Sequence, residues 1–347
     1  KQNQLDLVRF DPRYRRGEIL LTERDSCWID IHDNIRILKD GSFIWTSERS
    51  GYNHIYHYDR NGTIINQLTH GDWEVRKIID INEETNIIYF TATKVSELEN
   101  HLFSISLYNG NLIQITQESG WHSVAISPTK SRIIDSWSNI MTPTTHLVKN
   151  IDGKNISTIS KPDKSEFDKL YWTYPDFIKI QTSDGVFLNA IITLPWNFVE
   201  SKSYPILVNT YGLSGSQTVT NRWGGRNYLW HQYMAKNGFI IFSIDNRQTG
   251  GRGKAFKNLG YGDYGKYLIR DQIEGINYLG SLPYADTSKV GIWGWSGGGY
   301  ATALALTKGA EYFDVGVAVA SVTDWRLYDT AYTERYMGLL SENEAGY

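Results

Sequence analysis

Lys289-Val290-Gly291-Ile292-Trp293-Gly294-Trp295-Ser296-Gly297-Gly298-Gly299-Tyr300 is the stretch on which the fold of this chain turns. Its first five residues read as a buried strand and residues 300–306 as a helix, so Ser296 sits on a strand-to-helix turn with glycine on both sides. A serine hydroxyl is a weak nucleophile. Holding it on a strained turn exposes the oxygen, lets neighbouring backbone pass closely and sets a helix N-terminus behind the reacting atom. The short pattern Gly-x-Ser-x-Gly recurs by chance in glycine-rich chains, and it is the flanking strand and helix that make Ser296 a candidate nucleophile.

Outward from this turn, residues 178–182 and 187–194 flank Asp184-Gly185 as a hairpin, and residues 206–208, 239–244, 290–293 and 315–319 read as buried strands. Residues 229–236 and 268–279 read as helices between them. A sheet that starts antiparallel and turns parallel, with the nucleophile at the end of a parallel strand, predicts an α/β-hydrolase domain over residues 166–347. Gly260-Tyr261-Gly262-Asp263-Tyr264-Gly265 fits the dinucleotide pattern Gly-x-Gly-x-x-Gly, but no strand leads into it and no cofactor is expected there.

Residues 1–165 follow a different pattern. Leu21-Thr22, Leu68-Thr69 and Ile115-Thr116 recur at 47-residue spacing, a weaker Ile159-Ser160 follows, and Trp28, Trp73 and Trp121 keep a similar interval. Asn53-His54-Ile55-Tyr56 is echoed by Asn100-His101-Leu102-Phe103 and by Thr145-His146-Leu147-Val148, with turns at Asn61-Gly62, Asn109-Gly110 and Asp152-Gly153 after them. Short strands joined by such turns, at a period in the forties, predict about four blades of a β-propeller. An open arc of blades leaves raw sheet edges, so the ring is expected to continue upstream of Lys1. His54, His101 and His146 hold equivalent places in successive blades, far apart around a ring; they are expected to be structural, and no metal site is expected. Glu83-Glu84 reads as a solvated turn.

Composition narrows the function further. With 347 residues, 41% of them apolar, the chain can bury two full cores. A net charge of -3 with no basic stripe argues against nucleic acid and anionic membranes as partners. Cys27 is the single cysteine, which excludes an internal disulfide and any cysteine-based metal site. No apolar run is long enough to cross a membrane as a helix. Because the chain opens on Lys1 rather than methionine, a targeting segment upstream is an open expectation. Asn61-Gly62-Thr63 and Asn155-Ile156-Ser157 are glycosylation sequons whose use depends on compartment.

A propeller followed by a hydrolase domain resembles the prolyl oligopeptidase family, in particular its bacterial dipeptidyl peptidase IV branch. The likeness runs the whole length of the chain. It is carried by Gly71-Asp72-Trp73-Glu74-Val75, Gly215-Ser216-Gln217-Thr218-Val219, Asp271-Gln272-Ile273-Glu274, the elbow itself, and Tyr332-Thr333-Glu334-Arg335-Tyr336-Met337-Gly338. The resemblance implies a serine exopeptidase that releases Xaa-Pro or Xaa-Ala dipeptides from peptides with a free N-terminus. Ser296 would be the nucleophile, with the Tyr211 hydroxyl and the Gly297 backbone N–H forming the oxyanion hole. Val322, Trp325, Tyr332 and Tyr336 would wall the pocket for the residue before the cut. It also implies homodimerisation, a periplasmic or secreted location, no cofactor, and a pair of glutamates upstream of Lys1 for the substrate amino group.

Three departures from the family pattern stand out. Gly297 replaces a tyrosine, which is expected to widen the pocket. Gln248 replaces a glycine in Asp245-Asn246-Arg247-Gln248-Thr249-Gly250, and Leu213-Ser214 replaces Gly-Pro after Tyr211-Gly212; both are expected to alter loop geometry. In addition, no histidine follows Ser296, the last being His231, although an α/β-hydrolase places its acid and histidine after the nucleophile. The catalytic Asp and His are therefore expected outside a chain incomplete at both ends. Two other readings stay open on sequence alone: an acylaminoacyl-type peptidase or esterase on the same scaffold, or a catalytically dead propeller-hydrolase that binds a partner.

Overall fold

The computed structural model describes residues 2–347. The N-terminal part opens with an antiparallel hairpin, β1 (Gln4–Asp11) and β2 (Arg16–Arg24). Three four-stranded antiparallel sheets follow, each in meander order. They are β3 (Arg36–Ile37), β4 (Phe43–Ser47), β5 (His54–Tyr58) and β6 (Ile64–Gln67); β7 (Val75–Asn82), β8 (Ile87–Ala92), β9 (His101–Ser106) and β10 (Leu112–Gln114); and β11 (Trp121–Ile126), β12 (Arg132–Asn139), β13 (Thr142–Asn150) and β14 (Asn155–Ser160). These are propeller blades; Leu68-Thr69 and Ile115-Thr116 directly follow the last strands of the first two, Ile159-Ser160 ends the third, and Leu21-Thr22 lies within β2. The first of the expected units is a two-stranded hairpin rather than a full blade, because only β1 and β2 pair there.

Apolar side chains from adjacent blades form one interior, with Ile44, Ile55, Ile78, Ile88 and Phe90 fully buried. Burial of each contributes roughly 1.5–3 kcal/mol, which a lone four-stranded sheet with one wet face could not collect. The recurring histidines are bonded within their own blades or the adjoining loops. His54 bonds Thr69 Oγ1 at 3.0 Å and Gly71 O at 2.8 Å, His101 bonds Glu99 Oε2 at 2.8 Å, and His146 bonds Ser136 Oγ at 2.8 Å. Glu84 is exposed, as its turn implies, whereas Glu83 is half-buried and accepts a hydrogen bond from Lys39 N across the blades.

After a short helix, α1 (Ser165–Asp168), a six-stranded sheet is built from β15 (Asp176–Gln181), β16 (Phe187–Thr193), β17 (Tyr204–Asn209), β18 (Ile240–Ile244), β19 (Ala285–Trp295) and β20 (Val315–Val319). Its spatial order is β15-β16-β18-β17-β19-β20, antiparallel through β16 and parallel from β18 to β20. All five residues of β18, Ile-Ile-Phe-Ser-Ile, are buried, as a central strand covered on both faces requires. Around the sheet lie α2 (Gly225–Lys236), α3 (Gly253–Lys257), α4 (Tyr264–Gly280), α5 (Gly297–Lys308) and α6 (Thr330–Met337). The dinucleotide-like glycines fall in the turn that starts α4, where Asp263 accepts hydrogen bonds from Gly265 N and Lys266 N, both at 3.1 Å. That turn is an N-cap preceded by a 3-10 turn, not the end of a strand.

The two parts are clasped by polar contacts, several from the residues that carry the family likeness. Glu74 Oε1 accepts from Gly253 N at 2.8 Å, and Gln217 accepts from Arg76 at 2.5 Å while donating to Glu97 O at 3.0 Å. Lys257 on α3 reaches Glu48 Oε1 at 2.7 Å and also pairs with Asp30. This clasp brings Trp28, from the loop after β2, against α6, its ring 4.9 Å from that of Tyr336.

Candidate active site

Strands β17 and β19 pair in parallel with Asn209 opposite Trp293, and Thr210 N continues the ladder to Trp293 O at 3.1 Å. Ser296, directly after β19, and Tyr211, two residues past the end of β17, therefore emerge at the same carboxyl edge of the sheet. Ser296 has φ +54°, a left-handed conformation that a non-glycine residue holds only when its surroundings enforce it. Here Ser296 N donates to Val319 O at 2.9 Å, and Tyr300 N to Ser296 O at 3.1 Å. The first turn of α5 begins at Gly297, leaving backbone N–H groups without helical acceptors and the positive end of the helix dipole behind the serine.

The elbow glycines are dictated by close approach. A Cβ on Gly294 would stand 2.5 Å from Thr210 O, one on Gly298 would collide with Thr210 O, and one on Gly299 would lie 2.9 Å from Val319 O. Each of these neighbours is backbone of an adjoining strand or loop, which cannot yield without unpairing the sheet.

Tyr211 is partly exposed, with 38% of its surface accessible, and its ring comes close to position 297. Burial, and next the Tyr328 phenol, push the Tyr211 hydroxyl above its ordinary value, so it is a protonated donor at neutral pH. Val322, Trp325 and Tyr336 are buried in one cluster with Leu213, Tyr264 and Trp28, and Tyr332 packs on that cluster. Tyr332 stacks on Trp325 at 6.0 Å and tilts against Tyr336 at 4.9 Å. The four pocket residues expected from sequence thus lie together, in a cluster that also takes in Leu213, the residue before Ser214. Asp329 caps α6, accepting from Tyr332 N at 2.8 Å, and so fixes the start of the helix that presents the tyrosine pair.

One expectation needs correction. The space beside Gly297 is not left open: Leu213, only 3% exposed, lies over it, so the missing tyrosine does not simply widen the pocket. Gln248 holds a positive φ, +81°, and its side chain is enclosed and bonded. Its Nε2 donates to Gly212 O at 2.9 Å, the acceptor that Asn246 Nδ2 also reaches at 2.9 Å. Next to it the Arg247 guanidinium binds Asp271 Oδ1 at 2.5 Å in the interior, fastening the loop to α4. Burial raises the Asp271 carboxyl, and the arginine's hydrogen bonds oppose that.

Trp28 and Tyr264 join the site only through packing across long stretches of chain, which no sequence signal marks, whereas Gln248 stands out in the sequence as a departure without its role being visible there. His231 packs against Trp293 with ring centroids 6.1 Å apart, and burial pushes its imidazole down to about 4. Among the described residues no histidine hydrogen-bonds Ser296. Elsewhere, Glu118, His122 and Asp135 gather in the arrangement of a metal site, but the Lys149 ammonium lies 2.9 Å from Glu118 and 3.0 Å from Asp135 and supplies the cation.

Known proteins match both parts of the chain. Residues 1–144 match the dipeptidyl peptidase IV (DPP IV) N-terminal region, and residues 227–347 match the prolyl oligopeptidase family. The chain is 31% identical to a probable dipeptidyl peptidase 4 of Aspergillus flavus over 100% of its own length and 47% of that protein's. It is 31% identical to human dipeptidyl peptidase 8, covering 95% of this chain and 41% of the relative. The crystal structure of Porphyromonas gingivalis dipeptidyl peptidase 4 superposes with a TM-score of 0.93 at 30% identity, over 100% of this chain and 49% of that one. The chain spans about half the length of the curated relatives it matches.

Proposed function

We propose a serine exopeptidase, because this chain belongs to the prolyl oligopeptidase family and lies in its dipeptidyl peptidase IV-like branch. In this reading residues 1–165 form the propeller part and residues 166–347 the catalytic part. Ser296 Oγ attacks the carbonyl carbon of the second residue from a peptide's free N-terminus. The Tyr211 hydroxyl and the Gly297 N–H receive the negative charge that develops on the carbonyl oxygen. Collapse breaks the peptide bond, the leaving amine takes a proton, and water then hydrolyses the dipeptidyl ester on Ser296. Val322, Trp325, Tyr332 and Tyr336 enclose the second residue, for which proline or alanine is the proposed choice: flat aromatic faces suit a pyrrolidine ring or a methyl group.

The single observation that supports this most is Ser296 at φ +54° beside Tyr211, on adjacent parallel strand ends. Serine activation needs a general base, and residues 297–347 hold no histidine. The activity is therefore proposed for a protein of the relatives' full length. The test is covalent labelling by a fluorophosphonate probe and dipeptide release from a Gly-Pro reporter by the protein expressed from its whole coding sequence. Both should vanish in Ser296→Ala, and the 347-residue chain alone should show no appreciable turnover. Labelling that persists without Ser296, or turnover by the isolated chain at the full-length rate, would overturn the reading.

A further inference from the structure

Among the four glycines around Ser296, Gly297 is set apart by what excludes a side chain. Gly294, Gly298 and Gly299 are held by backbone atoms, whereas a Cβ on Gly297 would stand 2.6 Å from Leu213 Cγ and closer still to Leu213 Cδ1. Real Cβ atoms essentially never approach that near. No backbone atom is among the three nearest contacts; the third is Tyr211 Cζ at 3.4 Å. Nor does local conformation ask for glycine, since Gly297 starts α5 without a positive φ. Leu213 in turn packs with Val322, Trp325 and Tyr336, the residues assigned to the pocket wall.

Resting on the assignment of Ser296 and its pocket, we infer that Leu213 is a specificity-determining residue: its side chain takes the volume that a side chain at position 297 would need, and forms the pocket wall beside the nucleophile. The two departures from the family pattern are then one change. A leucine arriving over the elbow excludes the tyrosine, and glycine at 297 is what admits the leucine. The wall so made is aliphatic. With Leu213 only 3% exposed, it shapes the pocket mainly by backing Val322, Trp325 and Tyr336, and it offers no hydroxyl. Neither substitution is then neutral by itself: a side chain at 297 collides with Leu213, and truncation of Leu213 empties space behind Val322, Trp325 and Tyr336, into which the pocket can enlarge.

A double-mutant cycle in the full-length protein tests this, using Leu213→Ala, Gly297→Ala and the pair. Wild-type labelling and dipeptide release are measured first; their failure sinks the exopeptidase reading and not the packing argument. Given activity, Gly297→Ala should lower kcat/KM on a Gly-Pro reporter, and adding Leu213→Ala should recover it, so that the double variant beats the product of the singles by about tenfold or more. Leu213→Ala alone should shift the kcat/KM ratio of Gly-Leu over Gly-Pro reporters upward by roughly tenfold, a change that a purely structural leucine would not cause. Where a single variant is too unstable to assay, the same cycle is read in thermal midpoints, with the pair melting above Gly297→Ala. Independent effects in the cycle, or an unchanged Gly-Leu to Gly-Pro ratio, would overturn the assignment of Leu213.

Discussion

Replacing Tyr211 by phenylalanine removes one oxygen from the edge of the elbow and leaves the ring that packs beside position 297. If that hydroxyl stabilises the oxyanion, the loss falls on the transition state, because a neutral substrate carbonyl makes little use of the donor. One such donor in a dry site is worth about 2.7–4 kcal/mol, or roughly 100- to 1,000-fold in turnover. Tyr211 is 38% exposed, so water competes for the oxyanion and the lower end of that range, about a hundredfold, is expected. The assay is steady-state hydrolysis of a Gly-Pro reporter by the full-length protein, with kcat and KM resolved separately. kcat should fall while KM stays within about twofold. Burial raises the phenol, so the wild-type enzyme should show no loss of kcat from Tyr211 ionisation through neutral pH. A variant that changes KM alone would place Tyr211 in the pocket wall and refute its part in the oxyanion hole.

Two further outcomes follow from the surroundings of the site. At Gln248, which holds φ +81° and bonds Gly212 O, alanine keeps the backbone strain and loses the bond, whereas glycine relieves the strain; Gln248→Ala should therefore be less stable than Gln248→Gly by about 1 kcal/mol in denaturant midpoints, and equal midpoints would refute the strain argument. Burial alone would raise the Glu99 carboxyl, but hydrogen bonds from His101, Ser119 and Asn221 outweigh it and bring the group down to about 2; the stability it contributes is complete above its unfolded value near 4.5 and is lost as pH falls toward 2. That contribution is at most about 3 kcal/mol, so the melting difference between wild type and Glu99→Gln should shrink on acidification below pH 4.5, and a pH-independent difference would count against the network.

Much of this protein was legible in its sequence because the signals are local. The elbow announces itself by a strand, a helix and glycines at fixed offsets in Gly294-Trp295-Ser296-Gly297-Gly298, although the atoms that enforce its strained turn, Thr210 O and Val319 O, come from distant strands and loops. The 47-residue recurrence of Leu-Thr and Ile-Thr pairs likewise reports blades, because each meander repeats one hydrogen-bonding unit. What could not be read was competition for volume between distant residues. Gly297 looked like an emptied position until Leu213, from the loop after a different strand, was found over it. Gln248 looked out of place until its amide was found on Gly212, and Glu118, His122 and Asp135 gather around Lys149 only once β11, β12 and β13 are paired. Trp28 meets Tyr336 across nearly the whole length of the chain. Packing at close to crystalline density makes each of these side chains answer to whichever atoms the fold brings beside it, and sequence distance carries no trace of that.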